Sequence, residues 1–356
     1  MSGASLLGSL LRLAAWLGVL AVLAAALGAW IQRRRDRQER FRTACLGRWQ
    51  QQIVEFLYEG RGPDPFLELS RAERRLVVPF LLRVLAVLSG REGAAVRQLY
   101  HDARLSRGLG RRLRSPWSRE RALAALEVGT FQVDDCFPRL LAMLDDPVPF
   151  VAHSAARGLA NSRRLEYASP VLDWVLAQDS FQLERQLWIL EGFGPGLLTW
   201  LELRMESRSR ADEREWVMFA KLAASYRSVP QASRLVDMLD AGNPELRILA
   251  VKAVAALGYV EALPAVRPLV ADGNWVLRSQ AATALGILAG ADAVPSLVEL
   301  MADPVFEVRR HAAQALFRLG PAGAAALRGL AGDPRSDPFA RDLALERLQW
   351  EPGAAS

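Results

Sequence analysis

Asp303-Pro304-Val305-Phe306-Glu307-Val308-Arg309-Arg310-His311-Ala312-Ala313-Gln314-Ala315-Leu316-Phe317-Arg318-Leu319-Gly320 is the stretch that decides the fold. Val308, Ala312, Leu316 and Leu319 recur at spacings of four, four and three, the stripe of one helix face. Asp303 offers an N-cap oxygen, and Pro304 falls at the first helical position, where no amide donor is needed. Just upstream, Val294, Leu297, Val298, Leu300 and Met301 give a second, shorter apolar face over Ala293–Met301. The stretch therefore reads as the second helix of a hairpin.

Moving outward, the pattern repeats every 31 residues. Arg247, Arg278 and Arg309 align, as do Leu246/Leu277/Val308, Ala250/Ala281/Ala312 and Val254/Leu285/Leu316. Leu235/Val266/Leu297 and Met238/Leu269/Leu300 align in the first helices, and Gly258/Ala289/Gly320 close each unit. An earlier copy runs through Leu140, Met143, Asp146, Pro147, Val151, Ala155, Ala156 and Leu159, with Ala152 at the arginine position. A shorter copy sits at Arg119–Gly129, a last copy with one extra residue at Arg341–Leu348, and the copy around Glu215–Tyr226 is degenerate. A hairpin of this size cannot bury both its faces alone, so adjacent hairpins must stack. The fold class expected is all-α, an α-solenoid of roughly seven units, with the alanines letting neighbouring helices approach closely.

The pattern D-P-x-x-x-V-R-x-x-A-A-x-A-L-x-x-L-G resembles the short HEAT repeat of bacteria, the phycobilisome-lyase-type HEAT-like repeat. The resemblance covers about residues 118–350. It implies that the second helix of each hairpin lines a concave face and that an Asp and an Arg bridge successive repeats. The residues matching that ladder are Asp179, Arg185, Arg247, Asp272, Arg278, Asp303 and Arg309, with Asp179/Arg185, Asp272/Arg278 and Asp303/Arg309 each six apart. The family hosts many roles, so the resemblance speaks for fold more than for function.

At the other end of the chain, Leu13 to Ile31 are nineteen residues without a charge. As a helix they span about 28 Å, enough for the hydrocarbon core of a bilayer. Trp16 and Trp30 stand near the two ends, where interfacial aromatics belong. Arg33, Arg34, Arg35, Arg37, Arg40 and Arg42 follow. The expectation is a single transmembrane helix over 10–31, with the basic side and everything after it in the cytoplasm. The rival is a cleaved leader with a small-residue site near Ala26–Gly28; the long apolar run and the basic block after it weigh against that reading. Residues 32–62 are then a basic juxtamembrane helix and linker, 63–117 degenerate capping helices (Arg71–Leu88 and Gly93–Leu113), 118–350 the array, and 351–356 a tail.

Charge follows the same division. The chain of 356 residues carries a formal net charge of +6, and all but Lys221 and Lys252 of its basic residues are arginine. Residues 33–120 hold 20 arginines against 10 acidic residues, which leaves the remainder of the array acidic. An arginine stripe along the second helices would mark a nucleic-acid binder. The aligned positions after the ladder arginine are instead Ile248, Ser279 and Arg310, which argues against nucleic acid. The basic neck fits attraction to anionic lipid.

No catalytic constellation stands out. There is no Walker loop, no G-x-S-x-G and no H-E-x-x-H. The two cysteines, Cys45 and Cys136, and the three scattered histidines offer no metal-ligand spacing. No cofactor is expected. Trp174, Trp188, Trp200 and Trp216 crowd the degenerate middle; packing between imperfect repeats accounts for them, and an aromatic partner patch is the alternative. Arg204, Arg208, Arg210 and Arg214 lie beside them in and around a polar segment, Ser207–Glu213, that reads as an insertion loop. The candidate partner-binding residues are Arg310, His311, Gln314, Trp216 and Arg214.

The leading expectation is a non-enzymatic, membrane-tethered adaptor that binds a partner protein. By resemblance to membrane-anchored bacterial HEAT proteins, the client class is a membrane enzyme complex such as a polysaccharide glycosyltransferase. Two alternatives stand beside it: a lyase-type enzyme related to bilin lyases, and a nucleic-acid-binding HEAT-like protein.

Overall fold

The computed structural model describes residues 3–59, 61–88, 90–178, 186–207 and 212–349, the side chains of 3–15, 17–22 and 71 excepted. The described residues are helical throughout, with no strand among them. They form two compact units, Met1–Leu140 and Leu141–Ser356.

The first unit begins with α1 (Gly3–Tyr58), followed by α2 (Asp64–Leu67), α3 (Arg71–Leu85), α4 (Gly90–Asp102), α5 (Leu109–Arg112) and α6 (Ser118–Phe131). Cys45, Trp49 and Ile53 repeat every four residues along α1 and are buried against α3 and α4, with Trp49 and Phe80 ring centroids 5.8 Å apart. The stretch expected as a juxtamembrane helix and linker thus supplies one face of a core. Ser70 and Glu73 form a reciprocal capping box at the start of α3, which satisfies two orphan amide donors. The expected third helix, Gly93–Leu113, is interrupted. Arg104 (φ 49°) and Gly108 (φ 83°) take left-handed backbone between α4 and α5, and the chain turns there.

The expected membrane span, 10–31, falls for the most part on residues whose side chains lie outside the description. Among the described residues no helix is long and apolar enough to cross a membrane. The backbone of α1 nevertheless runs through this stretch unbroken. In its described part Leu23, Leu27, Trp30 and Ile31 are exposed, and the Arg34 guanidinium lies 5.4 Å from the Trp30 ring centroid.

The second unit is a series of helical hairpins. The end of α7 (Phe137–Ala142) leads to α8 (Pro149–Asn161). Then come α9 (Ala168–Leu176), α10 (described over 186–190), α11 (Gly196–Glu206) and α12 (Glu213–Tyr226). The regular part follows as α13 (Ala232–Asp237) with α14 (Pro244–Leu257), α15 (Leu263–Val266) with α16 (Trp275–Leu288), α17 (Val294–Leu300) with α18 (Phe306–Arg318), and α19 (Pro321–Gly332) with α20 (Pro338–Leu348). The second helices α12, α14, α16, α18 and α20 pack in succession, as a 31-residue solenoid repeat requires. First helices are short. α15 passes at Arg267 into 3-10 geometry, where Pro268 has no amide hydrogen to continue the α ladder.

Small residues set the helix spacing. An added Cβ on Gly286 of α16 would lie 2.7 Å from Ala315 Cβ of α18, and one on Gly323 of α19 would lie 1.8 Å from the Leu316 carbonyl oxygen. The close approach expected from alanines is thus closest at two glycines. The second-helix start also differs from the expectation. Val305, not Asp303, is the N-cap of α18, the helix begins at Phe306, and Pro304 lies before it. Asp303 is held back by other work, described next.

Candidate functional site

Two of the arginines repeated every 31 residues, Arg247 and Arg278, fasten one hairpin to its successor. Arg247 Nη2 donates to Asp272 Oδ2 at 2.6 Å, and its Nε donates to the Leu239 carbonyl at 3.0 Å. Arg278 is bidentate on Asp303, Nε to Oδ2 at 2.7 Å and Nη2 to Oδ1 at 3.0 Å. Each aspartate also accepts the amide two residues on, Asn274 or Val305, at 2.8 Å. The carboxylate therefore closes a turn and receives the previous repeat's guanidinium at once. Burial works to raise both carboxyls. For Asp272 the Asn274 amide and Arg247 outweigh it, and for Asp303 the Arg278 cation and the Val305 amide do so. Both stay below the ordinary range.

The six-residue spacing carries a different bond. Arg278 Nη1 donates to the Asp272 carbonyl oxygen at 2.8 Å, and Arg309 Nη1 donates to that of Asp303 at 2.7 Å. Arg278 and Arg309 thus tie their own turn through the aspartate backbone and Arg247 through the Leu239 carbonyl, while Arg247 and Arg278 also reach the next turn through the aspartate side chain. Asp179 and Arg185 lie outside the described residues.

Arg309 ends the series. It is buried, has no carboxylate partner among the described residues, and leaves its Nε without a hydrogen bond. Its guanidinium instead lies between two aromatic rings, 5.8 Å from the Phe306 centroid and 5.0 Å from that of Phe339. Phe306, Phe339, Asp342 and Glu346 surround a shallow recess of about 180 Å³ beside it.

These rings belong to a row. Trp275 and Phe306 occupy the same repeat position, the first residue of α16 and of α18, and are 43% and 50% exposed. Phe339 and Phe150, second residues of α20 and α8, are each 62% exposed. Packed helices lie roughly 8–10 Å apart, so Trp275, Phe306 and Phe339 line one edge of the array at about that interval. Single exposed aromatics are ordinary, but several in a row on one edge make the kind of apolar surface that marks an interaction site.

The candidate residues read from the sequence fall elsewhere. On α18 Arg310 is exposed and His311 and Gln314 are half-buried. Burial and the Arg310 cation hold the His311 imidazole below its ordinary range. Trp216 and Arg214 lie on α12, separated from α18 by α14 and α16 in the stack. Arg214 donates to the Leu176 carbonyl at 2.8 Å, and Trp216 meets Phe219 edge-on at 6.0 Å. The two groups do not form one site. In the degenerate middle the notable residue is Arg204, which binds Glu215 (3.0 Å), Asp173 (2.6 Å) and Ser169 (2.6 Å). Glu215 is fully buried there. Trp188 is exposed, with the Arg157 guanidinium 4.4 Å from its ring centroid. Arg208 and Arg210 lie outside the described residues. In the sequence the members of the aromatic row look like ordinary apolar positions; the one signal they carry there is the shared 31-residue offset of Trp275 and Phe306.

Residues 232–317 match the family model for HEAT repeats. No curated protein matches the chain. Among solved structures the chain is similar to Kap95p bound to RanGDP (14% identity, 84% of this chain and 46% of that one, TM-score 0.44). It is also similar to human deoxyhypusine hydroxylase with glycerol (22%, 88% and 97%, 0.28). A third is the CpcE–CpcF complex of phycocyanin lyase from Nostoc (20%, 70% and 88%, 0.29). At these scores none of the three transfers a role to this chain.

Proposed function

We propose that this protein is a membrane-tethered HEAT-repeat scaffold whose aromatic edge binds a partner protein. The observation that carries the reading is the row of exposed rings at second-helix starts, with the buried Arg309 guanidinium laid between Phe306 and Phe339. Aromatic and arginine side chains supply most hot spots of protein interfaces. A rigid repeat presents them at fixed intervals, which suits an extended partner segment.

The tether rests on the uncharged run from Leu13 to Ile31 and on the arginines that follow it. The exposed Leu23, Leu27 and Trp30 fit the same reading, since they lack any cover from the rest of the first unit. Orientation follows from the arginines: the repeats lie on the cytoplasmic side of the inner membrane. A membrane enzyme complex is then the natural client, and a polysaccharide glycosyltransferase is the instance that the sequence resemblance brings.

The test is a detergent-solubilised pull-down of the full chain, of a form lacking residues 1–31, and of the triple variant Trp275→Ser, Phe306→Ser, Phe339→Ser, read by quantitative mass spectrometry. The same membrane protein should come down with the first two and be lost from the third. Retention of nucleic acid at moderate salt, with no protein partner, contradicts the proposal.

A further inference from the structure

The first unit holds a cleft that the scaffold role does not use. It opens between α3, the turn after α4, α5 and α6, and has a volume of about 540 Å³. That is the size range of a small-ligand site. Five guanidinium groups line it, from Arg74, Arg75, Arg104, Arg107 and Arg112. Two of them are committed to the fold. Arg74 donates to the Leu69 and Ala103 carbonyls at 3.2 and 3.4 Å, and Arg112 donates to Glu127 at 2.5 Å.

Glu127 is fully buried at the floor, where it also accepts the Tyr100 hydroxyl at 2.7 Å. Its charge is therefore answered from within the protein. The side chains of Arg75, Arg104 and Arg107 are exposed and have no hydrogen-bond or ion-pair partner among the described residues. Glu120, the other carboxylate of the lining, is exposed and accepts the Ser115 hydroxyl at 2.8 Å, which leaves it charged. The cleft thus presents three free guanidinium groups against one exposed carboxylate. Pro79, Leu82 and Leu123 form an apolar ledge on one side.

We propose that this cleft binds a phosphate or diphosphate group carried on a partly apolar molecule. Guanidinium forks match phosphate oxygens in geometry and charge, and several converging on one anion are favoured over a single pairing. The ledge takes the organic body. A lipid headgroup and a water-soluble organic phosphate share this chemistry. The basic excess of residues 33–120 would concentrate either near the site.

Arg104 makes the test clean. Its left-handed backbone is shared with Arg163 and Arg227, so the conformation alone assigns nothing, but glycine adopts it without strain. Arg104→Gly should leave the melting temperature unchanged or raised while weakening the site. The full chain in neutral detergent is titrated with inorganic pyrophosphate, and separately with phosphatidic acid in mixed micelles against phosphatidylcholine alone. Arg104→Gly, and Arg75→Gln with Arg107→Gln, should each lower affinity by about tenfold. Arg33→Gln with Arg35→Gln, outside the cleft, should not. Pyrophosphate binding without a preference for phosphatidic acid assigns a soluble organic phosphate. Tighter binding of phosphatidic acid, displaced by pyrophosphate, assigns a lipid headgroup. Binding of neither probe, or an equal loss in the Arg33/Arg35 control, overturns the proposal.

Discussion

Arg278 in one repeat grips Asp303 in the next through two parallel hydrogen bonds, at 2.7 and 3.0 Å, while the Val305 amide holds the same carboxylate from behind. The Asp303 side chain is 6% exposed. Removing the arginine strands a buried charge, which is costlier than the pair is worth. Arg278→Ala should therefore destabilise the second unit by about 2–4 kcal/mol. Arg278→Lys should recover only part of this, because an ammonium cannot make the fork. Urea unfolding followed by circular dichroism reads both.

Acid should attack the same ladder. Asp272 and Asp303 both titrate below the roughly 3.9 of an unfolded aspartate. The stability they contribute is complete above that unfolded value and is lost as pH falls through their folded values. Stability of the second unit should thus drop steeply below about pH 4. The drop should be shallower in Arg278→Gln, whose Asp303 is no longer held low. Equal acid slopes in the two proteins would refute the pairing as its source.

Three glycines separate spacing from propensity. Alanine normally stabilises a helix interior by about 1 kcal/mol over glycine. At Gly286 the new Cβ would meet Ala315 at 2.7 Å, so Gly286→Ala should instead cost about 1–3 kcal/mol. Gly323→Ala should cost more, since its obstacle is the Leu316 backbone. Gly329 has open space around it, and Gly329→Ala should stabilise. Thermal melts of the three variants decide the matter.

The repeat was legible in the sequence because a helix face buried on both sides must keep its period. Leu277, Ala281, Leu285 and Leu288 leave no other reading. The partner of each ladder arginine was less legible. A spacing of six reports the backbone bond to Asp272 or Asp303, and only the inter-repeat stacking reveals the side-chain bond 25 residues on. The helix start was misplaced for the same reason: Asp303 caps the turn before α18 because its carboxylate is engaged by Arg278. Cys45, Trp49 and Ile53 were hidden among Arg48 and the glutamines Gln50, Gln51 and Gln52 between them. The arginine cleft was beyond reach, since Arg75, Arg104 and Arg112 converge only through the left-handed turn at Arg104 and Gly108.

The proposed tether makes its own prediction. If the arginines after Ile31 stay on the cytoplasmic side, as the positive-inside rule expects, a reporter fused after Ser356 is active only in a cytoplasmic assay. Activity of a periplasm-dependent reporter at that position would reverse the orientation.

The scaffold reading is tested most directly by site-specific photocrosslinking in cells. A photoreactive residue is placed singly at Trp275, Phe306 and Phe339, and at Ile287 near the other end of α16. Ile287 is comparably exposed and lies about 18 Å along the helix from Trp275. The three edge positions should form an adduct with one and the same protein, and Ile287 should not. No adduct at the edge, or adducts of equal yield at Ile287, would contradict an aromatic edge built to hold a partner.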